Sequence, residues 1–306
     1  MLLIDSTTKD LTPWLDAFRM AISEKEVITW DQIVNPHEVK MAVLWNHRED
    51  LFESLPHLEL VASLGAGVDH ILSDPLLPDH TKVSKVISPH LSGPMSNFCI
   101  GAVLYFHKQF DKYGRDKLSK NWDQEFDPER PLRIGIMGMG SLGKDLAGKL
   151  LNLGFQVYGL NREQRPFPGM ETFGQESLDT FLMKINTLIC MLPATEETKG
   201  IINYQLLSRM PKGSFLINVG RGQQQIDDDI VRALDEGILD GAFLDVFPQE
   251  PLPQGSRLWD HPKVFITPHI AVVTKIEAAV PQIVENYRRL SKGQPLMNII
   301  DKSKGY

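Results

Sequence analysis

The sequence predicts an α/β protein organised around a doubly wound, Rossmann-type nucleotide-binding domain. Three observations carry that prediction. First, the apolar run 134–137 breaks into Gly138-Met-Gly140-Ser-Leu-Gly143, and a helix with Leu146, Ala147, Leu150, Leu151 and Leu153 on one face follows. Gly154 ends that helix and a second apolar run, 155–160, begins. A GxGxxG pattern alone is weak, but strand, glycine turn, helix and strand in succession is the context in which it signifies a dinucleotide site. Second, strand-like and helix-like segments alternate along most of the chain, as a parallel sheet with crossover helices requires. Third, 306 residues suit two domains at about 150 residues each.

Taken in order, residues 2–4 read as a strand. Thr12 can cap a helix with Pro13 at its first position, running through Trp14, Leu15, Phe18 and Met20. Residues 26–30, 41–45 and 60–64 read as strands, with a further helical pattern at 49–55. Residues 1–98 therefore form a small α/β domain of their own. Its fourth strand ends in Ser63-Leu-Gly65-Ala-Gly67-Val-Asp69-His70. Two glycines in three residues free backbone N–H groups to face a ligand, and a helix start beyond them suits a small carboxylate. A plain strand–turn–helix joint would have the same spacing. Trp45 ends the neighbouring strand, where its ring either walls that site or belongs to the core.

Residues 95–110 (Met95, Phe98, Ile100, Val103, Leu104, Phe106, Phe110) read as a buried-face helix crossing between domains, and 117–130, with Trp122, as a surface loop. Beyond the glycine turn, 178–182 is helical, 187–192 a strand ending in Pro193, and 204–210 a short helix. Residues 214–219 are a strand ending in Gly220-Arg221-Gly222, and 227–236 a helix stopped by Gly237. Strands at 241–246 and 264–267 and a last helix at 276–290 complete the chain; Pro281 should start or kink that helix.

The end of the second nucleotide-domain strand selects the nucleotide. NAD-preferring enzymes carry Asp or Glu about 20 residues on, bonded to the ribose 2′-OH. Here Asn161 and Arg162 stand there, with Arg165 close behind. Asparagine does not repel a 2′-phosphate, and guanidinium matches phosphate oxygens in a fork. NADP(H) is therefore expected over NAD(H). The competing reading makes both arginines solvated loop charges.

Ligands of open α/β sheets bind beyond the carboxyl ends of the strands. Arg221, Glu250 and His269 all lie at such ends. Each alone is weak; together they are the set that reduction of a 2-keto acid needs. A guanidinium fork holds the carboxylate and carbonyl. An imidazole, with an ordinary pKa of about 6.5, protonates the developing alkoxide. A carboxylate orients that imidazole and keeps it protonated. Arg221, His269 and Glu250 fill those roles in that order.

Composition bounds the rest. The net charge of −7 argues against nucleic-acid or anionic-membrane partners. Cys99 and Cys190 lie in apolar runs without metal-ligand spacing, so no metal is expected. No apolar stretch approaches the about 18 residues of a membrane span. The start, Met1-Leu-Leu-Ile-Asp5, lacks a basic n-region, so a signal peptide is not expected and cytoplasm is the default location.

The chain resembles the D-2-hydroxyacid dehydrogenase family, and within it the glyoxylate/hydroxypyruvate reductase A branch. The resemblance rests on Leu64-Gly-Ala-Gly-Val-Asp69, Gly138-Met-Gly-Ser-Leu-Gly143, Met191-Leu-Pro193, Asn218-Val-Gly-Arg-Gly222, Leu244-Asp-Val-Phe-Pro-Gln-Glu-Pro-Leu252, Thr267-Pro-His-Ile-Ala271 and the ending Lys304-Gly-Tyr306. It implies the catalytic roles above, and substrate-carboxylate binding by backbone N–H groups near Ala66 and Gly67. It implies cofactor contacts from Ser141 and Leu142 at the pyrophosphate, Asn161 and Arg162 at the adenosine end, and Leu192 and Pro193 beside the ribose. Val219, Asp245 and Ala271 would lie near the nicotinamide, and Gly220 is a further cofactor contact. It further implies a discontinuous, flavodoxin-like substrate domain, 1–98 plus 275–306, with the nucleotide domain 99–274 inserted and forming a homodimer interface. The activity so implied is NADPH-dependent reduction of glyoxylate or hydroxypyruvate to glycolate or D-glycerate. Two alternatives remain: a D-lactate-type dehydrogenase with another 2-keto acid, and a dinucleotide-sensing dimeric binding protein.

Overall fold

The computed structural model of the chain describes residues 1–65, 67–87, 89–124 and 127–302. Ala66 and the 304–306 ending lie outside them. The chain divides into two compact units, Met1–Leu91 with Val273–Tyr306, and Ser92–Val272. The sequence places these crossings at 98/99 and 274/275.

In the first unit the strands are β1 (Leu2–Ser6), β2 (Val27–Ile28), β3 (Met41–Trp45), β4 (Leu60–Ser63) and β5 (Lys82–Ser84). All pairings are parallel, in the order β2-β1-β3-β4-β5, which is the flavodoxin-like order. The central strands are apolar without alternation because both faces are covered: Leu2, Leu3, Ile4, Met41, Ala42, Val43 and Leu44 are all buried. The helices here are α1 (Thr12–Ala21), α2 (Leu51–Ser54) and α3 (Asp69–Leu72).

In the second unit α4 (Pro89–His107), which starts in the first unit, and α5 (Phe110–Ser119) lead into β6 (Arg133–Met137), α6 (Ser141–Asn152), β7 (Gln156–Leu160) and β8 (Glu171–Phe173). There follow α7 (Leu178–Lys184), β9 (Thr187–Cys190), α8 (Tyr204–Leu207), β10 (Ser214–Asn218), α9 (Asp227–Asp235), β11 (Leu239–Leu244) and β12 (Val264–Ile266). Their order, β12-β11-β10-β9-β6-β7-β8, is all parallel and doubly wound. Alternate strand residues feed opposite cores. Leu188, Leu216 and Leu244 pack with the helices α7, α8 and α9. Ile189, Ile217 and Phe243 pack with Val103 and Phe106 of α4 and Leu146 and Leu150 of α6. Finally α10 (Ile276–Ser291) returns to the first unit. There Tyr287 donates to Glu26 at 3.1 Å and Arg288 to the Ala21 carbonyl at 2.9 Å.

Several local expectations change. Thr12 is not the cap of α1: the helix begins at Thr12, whose own N–H is taken by Asp10 Oδ1 at 2.9 Å. Pro281 does not start α10, which begins five residues earlier and runs through it. The 26–30 strand shrinks to two residues between 3₁₀ turns. The 117–130 loop begins only after Ser119, because α5 intervenes; Trp122 is 88% exposed. The unforeseen strands, β5 and β8, are three-residue edge strands whose pattern is too short to see without the neighbour they pair with. Among the described residues no helix is long and apolar enough to cross a membrane, and no His/Cys/Asp/Glu group could hold a metal.

Candidate active site

The register of the larger sheet aligns the carboxyl ends of five strands: Met137 pairs with Cys190, Cys190 with Asn218, Asn218 with Leu244, and Leu244 with Ile266. Everything that follows those residues therefore emerges at one edge. The strand order reverses between β6 and β9, and the glycine turn follows β6 at that point. Gly138 has φ +103°, and a Cβ there would sit 2.8 Å from the Met191 carbonyl oxygen. A Cβ at Gly143 would collide with the Gly138 carbonyl, so helix and strand touch there. At Gly140 a Cβ would meet nothing within 4 Å. The backbone is thus open to a ligand at the twelve-residue α6, with Ser141 exposed at its start. A helix terminus with open backbone at a switch point fits a pyrophosphate.

At the end of β7, Asn161 turns its side-chain oxygen back to accept the Met139 N–H at 3.0 Å. Arg162 pairs with Glu197, and Arg165 lies 3.3 Å from Glu163. Both arginines are open to solvent, with side chains 46% and 70% exposed.

The catalytic candidates converge. His269 Nδ1 lies 2.7 Å from Glu250 Oε2, and the other Glu250 oxygen accepts the Phe247 N–H at 3.0 Å. The Phe247 backbone passes directly against Gly222, where a Cβ would collide with it, so the Arg221 turn and the Glu250 loop are pressed together. Burial pushes the Glu250 carboxyl up. The hydrogen bonds from His269 and Phe247 and the charges of His269 and Arg221 outweigh that push and hold it below its ordinary value. Arg221 donates from its guanidinium to the Gly220 carbonyl at 2.8 Å, and its own N–H goes to Gln224 Oε1 at 2.9 Å.

His269 has φ +53°, a strained conformation for a non-glycine residue. Asp245 imposes it. Its carbonyl accepts the His269 N–H at 2.8 Å. Its carboxylate, 1% exposed, accepts the Thr267 hydroxyl at 2.6 Å and the N–H groups of Ile270 and Ala271 at 2.9 Å each. Asp245, expected beside the nicotinamide, is therefore first of all the anchor of the histidine loop. Val219 and Ala271 are buried. The Gly220 N–H is capped by Asn218 at 3.1 Å.

In the first unit Ser63 shapes the other glycine turn: its hydroxyl accepts the Gly65 N–H at 3.1 Å and donates to the Gly67 carbonyl at 2.6 Å. The following α3 has only four residues, so the helix dipole expected there is slight. Trp45 is half-buried rather than a core ring; its edge would lie 2.8 Å from a Cβ on Gly65.

Residues 100–271 match the D-isomer specific 2-hydroxyacid dehydrogenase family through its NAD-binding domain. The chain belongs to the D-isomer specific 2-hydroxyacid dehydrogenases. It is 37% identical to the glyoxylate/hydroxypyruvate reductase A of Escherichia fergusonii over 98% of this chain and 97% of that one. Among solved structures it is similar to a D-isomer specific 2-hydroxyacid dehydrogenase from Xanthobacter autotrophicus in complex with NADPH and MES. There the TM-score is 0.92, with 34% identity over 100% of this chain and 99% of that one. An NADPH-dependent glyoxylate/hydroxypyruvate reductase from Sinorhizobium meliloti, in complex with NADP and sulfate, gives a TM-score of 0.91 and 35% identity over the same shares.

Within this dehydrogenase, sequence reasoning passed over two residues at the site. Buried Gln224 donates to the Leu192 and Pro193 carbonyls at 2.7 and 2.9 Å while accepting from Arg221. It joins the ends of β9 and β10 around the arginine. Its only sequence signal is the run Gln223-Gln224-Gln225 that follows Arg221 and Gly222. Glu197, the partner of Arg162, lies thirty-five residues away and had none.

Proposed function

We propose that this dehydrogenase reduces glyoxylate, hydroxypyruvate or a related small 2-keto acid to the D-2-hydroxy acid with NADPH. The single observation that carries the reading is the 2.7 Å His269–Glu250 pair, beside an arginine whose charge reaches the same carboxylate. The nucleotide, when bound, supplies a hydride to the carbonyl carbon. His269 commits Nδ1 to Glu250, so Nε2 is the nitrogen that gives its proton to the carbonyl oxygen. Glu250 orients the ring and stabilises its protonated form. Arg221 clamps the carboxylate and carbonyl with its fork of N–H donors. The backbone at Ala66 and Gly67 binds the carboxylate, and Trp45 walls that side.

For the nucleotide, the turn at Gly138, Gly140, Ser141, Leu142 and Gly143 takes the pyrophosphate. Leu192 and Pro193 flank the ribose, and Val219, Gly220, Asp245 and Ala271 the nicotinamide. Asn161, Arg162 and Arg165 receive a 2′-phosphate, and NADP(H) is preferred because the residue that follows β7 is Asn161 and not a carboxylate. The Sinorhizobium relative is an NADPH-dependent reductase, which supports this preference. Exposed Phe110, Leu118 and Trp122 on and just after α5 support a homodimer, and the free, buried Cys99 and Cys190 a reducing, cytoplasmic location.

Steady-state kinetics on a panel of 2-keto acids with NADPH and NADH tests the reading. The expected result is rapid NADPH oxidation with glyoxylate or hydroxypyruvate, with kcat/KM about tenfold or more above that with NADH, since one phosphate–guanidinium fork is worth about 1.5–3 kcal/mol. No turnover with any keto acid would overturn the activity, and equal kcat/KM would overturn the cofactor preference.

A further inference from the structure

Gln224 is fully buried and ends the short 3₁₀ turn Gly222–Gln224 that follows Arg221, inside the unit Ser92–Val272. Its carboxamide uses every hydrogen-bonding position it has. The two N–H groups of Nε2 donate to the Leu192 carbonyl at 2.7 Å and the Pro193 carbonyl at 2.9 Å. Oε1 accepts the Arg221 N–H at 2.9 Å and the Cys190 thiol at 3.4 Å. Burial pushes that thiol up to about 12, so it stays a neutral donor. An amide has two donors and two acceptor sites, and these four partners satisfy all of them. A carboxylate there would turn an anionic oxygen to two carbonyl oxygens, and a methionine would satisfy none of the four.

The backbone around the amide makes room for it and holds it still. A Cβ on Gly220 would lie 2.3 Å from Gln224 Oε1, so the amide requires a glycine just before Arg221. The Gln224 carbonyl accepts the Ile202 N–H at 2.8 Å. The Gln224 N–H goes to the Arg221 carbonyl at 3.2 Å. One residue thus holds both backbone polar groups of Arg221, and the guanidinium is turned back onto the Gly220 carbonyl at 2.8 Å.

Resting on the proposed keto-acid reduction, we propose that Gln224 is a positioning residue for Arg221. It ties the backbone of the arginine to the 192–193 segment, the segment that flanks the ribose in that reading. The guanidinium clamp and the nucleotide therefore keep one spacing, and the substrate carbonyl is presented to the hydride at one height. A misplacement of about 1 Å can cost about 10²-fold in rate, which is why a fully satisfied, buried brace stands behind the clamp. Gln224 acts through Arg221 and takes no part in proton or hydride transfer.

The test is a double-mutant cycle on kcat/KM for NADPH-dependent reduction of glyoxylate, with Gln224→Met, Arg221→Ala and the two together. In the wild-type background Gln224→Met should lower kcat/KM about ten- to hundredfold, with the glyoxylate KM raised more than the NADPH KM. In the Arg221→Ala background there is no guanidinium to place, and the same substitution should change kcat/KM about threefold or less. A merely structural glutamine would lower the folded fraction in both backgrounds and leave KM unchanged. Gln224→Glu repeats the cycle if Gln224→Met does not fold. Neutral when buried, it keeps an acceptor for the Arg221 N–H and one donor for the carbonyls, so its loss should be smaller and equally dependent on Arg221. Effects that multiply across the cycle, a rise confined to the NADPH KM, or wild-type kinetics in whichever variant folds would overturn the role of Gln224 and leave the keto-acid reading standing. Failure of the wild type on every keto acid would overturn both.

Discussion

The catalytic and adenosine corners of the larger sheet are built in opposite ways. Around His269 the polar groups are buried and mutually satisfied: Asp245 accepts three hydrogen bonds with its carboxylate, and Gln224 bridges two strand ends. Around Arg162 and Arg165 the partners are glutamates at least as exposed as the arginines. Exposed pairs of this kind are worth about 0–1 kcal/mol, so a phosphate can displace them at little cost. Rate requires groups held in place before the substrate arrives. Cofactor choice requires charges that can let go of one partner for another.

If that contrast is right, substitutions should have large effects at the first corner and small, cofactor-specific ones at the second. His269→Ala should lower kcat about 10²- to 10⁴-fold with little change in NADPH binding; wild-type kcat would refute its role as the acid. Arg221→Ala should lower kcat/KM by about 10²- to 10³-fold, in rate and binding together, as loss of a charge-assisted fork implies. Asp245→Ala strands the Thr267 hydroxyl and two N–H groups, and should cost about 2–4 kcal/mol as well as activity. A thermal melt and kcat both matching wild type would show that the histidine loop does not depend on it.

Glu250→Gln should act on rate and on stability. It should reduce the rate about tenfold or more, because an amide holds the His269 ring less firmly than a carboxylate does. The stability consequence has a definite sign. Because the folded Glu250 carboxyl titrates below its ordinary 4.5, its contribution is present above that value and is lost as pH falls through the depressed one. The wild type's advantage over Glu250→Gln in urea unfolding should therefore be larger at about pH 7 than at about pH 3.

At the adenosine corner, Asn161→Asp keeps an acceptor for the Met139 N–H but adds a repelling charge. It should lower NADPH kcat/KM about tenfold or more while sparing NADH. Arg162→Ala should do the same by about tenfold. Arg165→Ala, the more exposed of the pair, should change it about twofold or less. An Arg165 effect larger than that of Arg162 would reverse the assignment of the phosphate site.

Most of the architecture was legible because its signals are local. Short continuous apolar runs and period-3.6 apolar patterns mark strands and helices from within their own residues, and Gly138, Gly140 and Gly143 mark the switch point by what a Cβ would obstruct. Arg221, Glu250 and His269 stood out because strand ends are visible in sequence. What escaped depends on neighbours distant in the chain. β5 and β8 exist as strands only by pairing at a sheet edge. The first turn of α1 is served by Asp10 instead of Thr12, a choice between adjacent oxygens that only backbone direction makes.

The sequence by itself determined the fold class, the dinucleotide turn and the identity of the three strand-end side chains, since each follows from residue type and local spacing. Only the tertiary structure decided which groups meet. The register of β11 on β12 positions Asp245 to fold the His269 loop back, and the cis Glu250–Pro251 loop closes on the same histidine. Likewise Arg48, His47 and Lys9 are equivalent as letters, and three-dimensional pairing neutralises the first two and leaves the third over Trp45. Charges cancel across space, between residues far apart in the chain, and that cancellation has no linear signature.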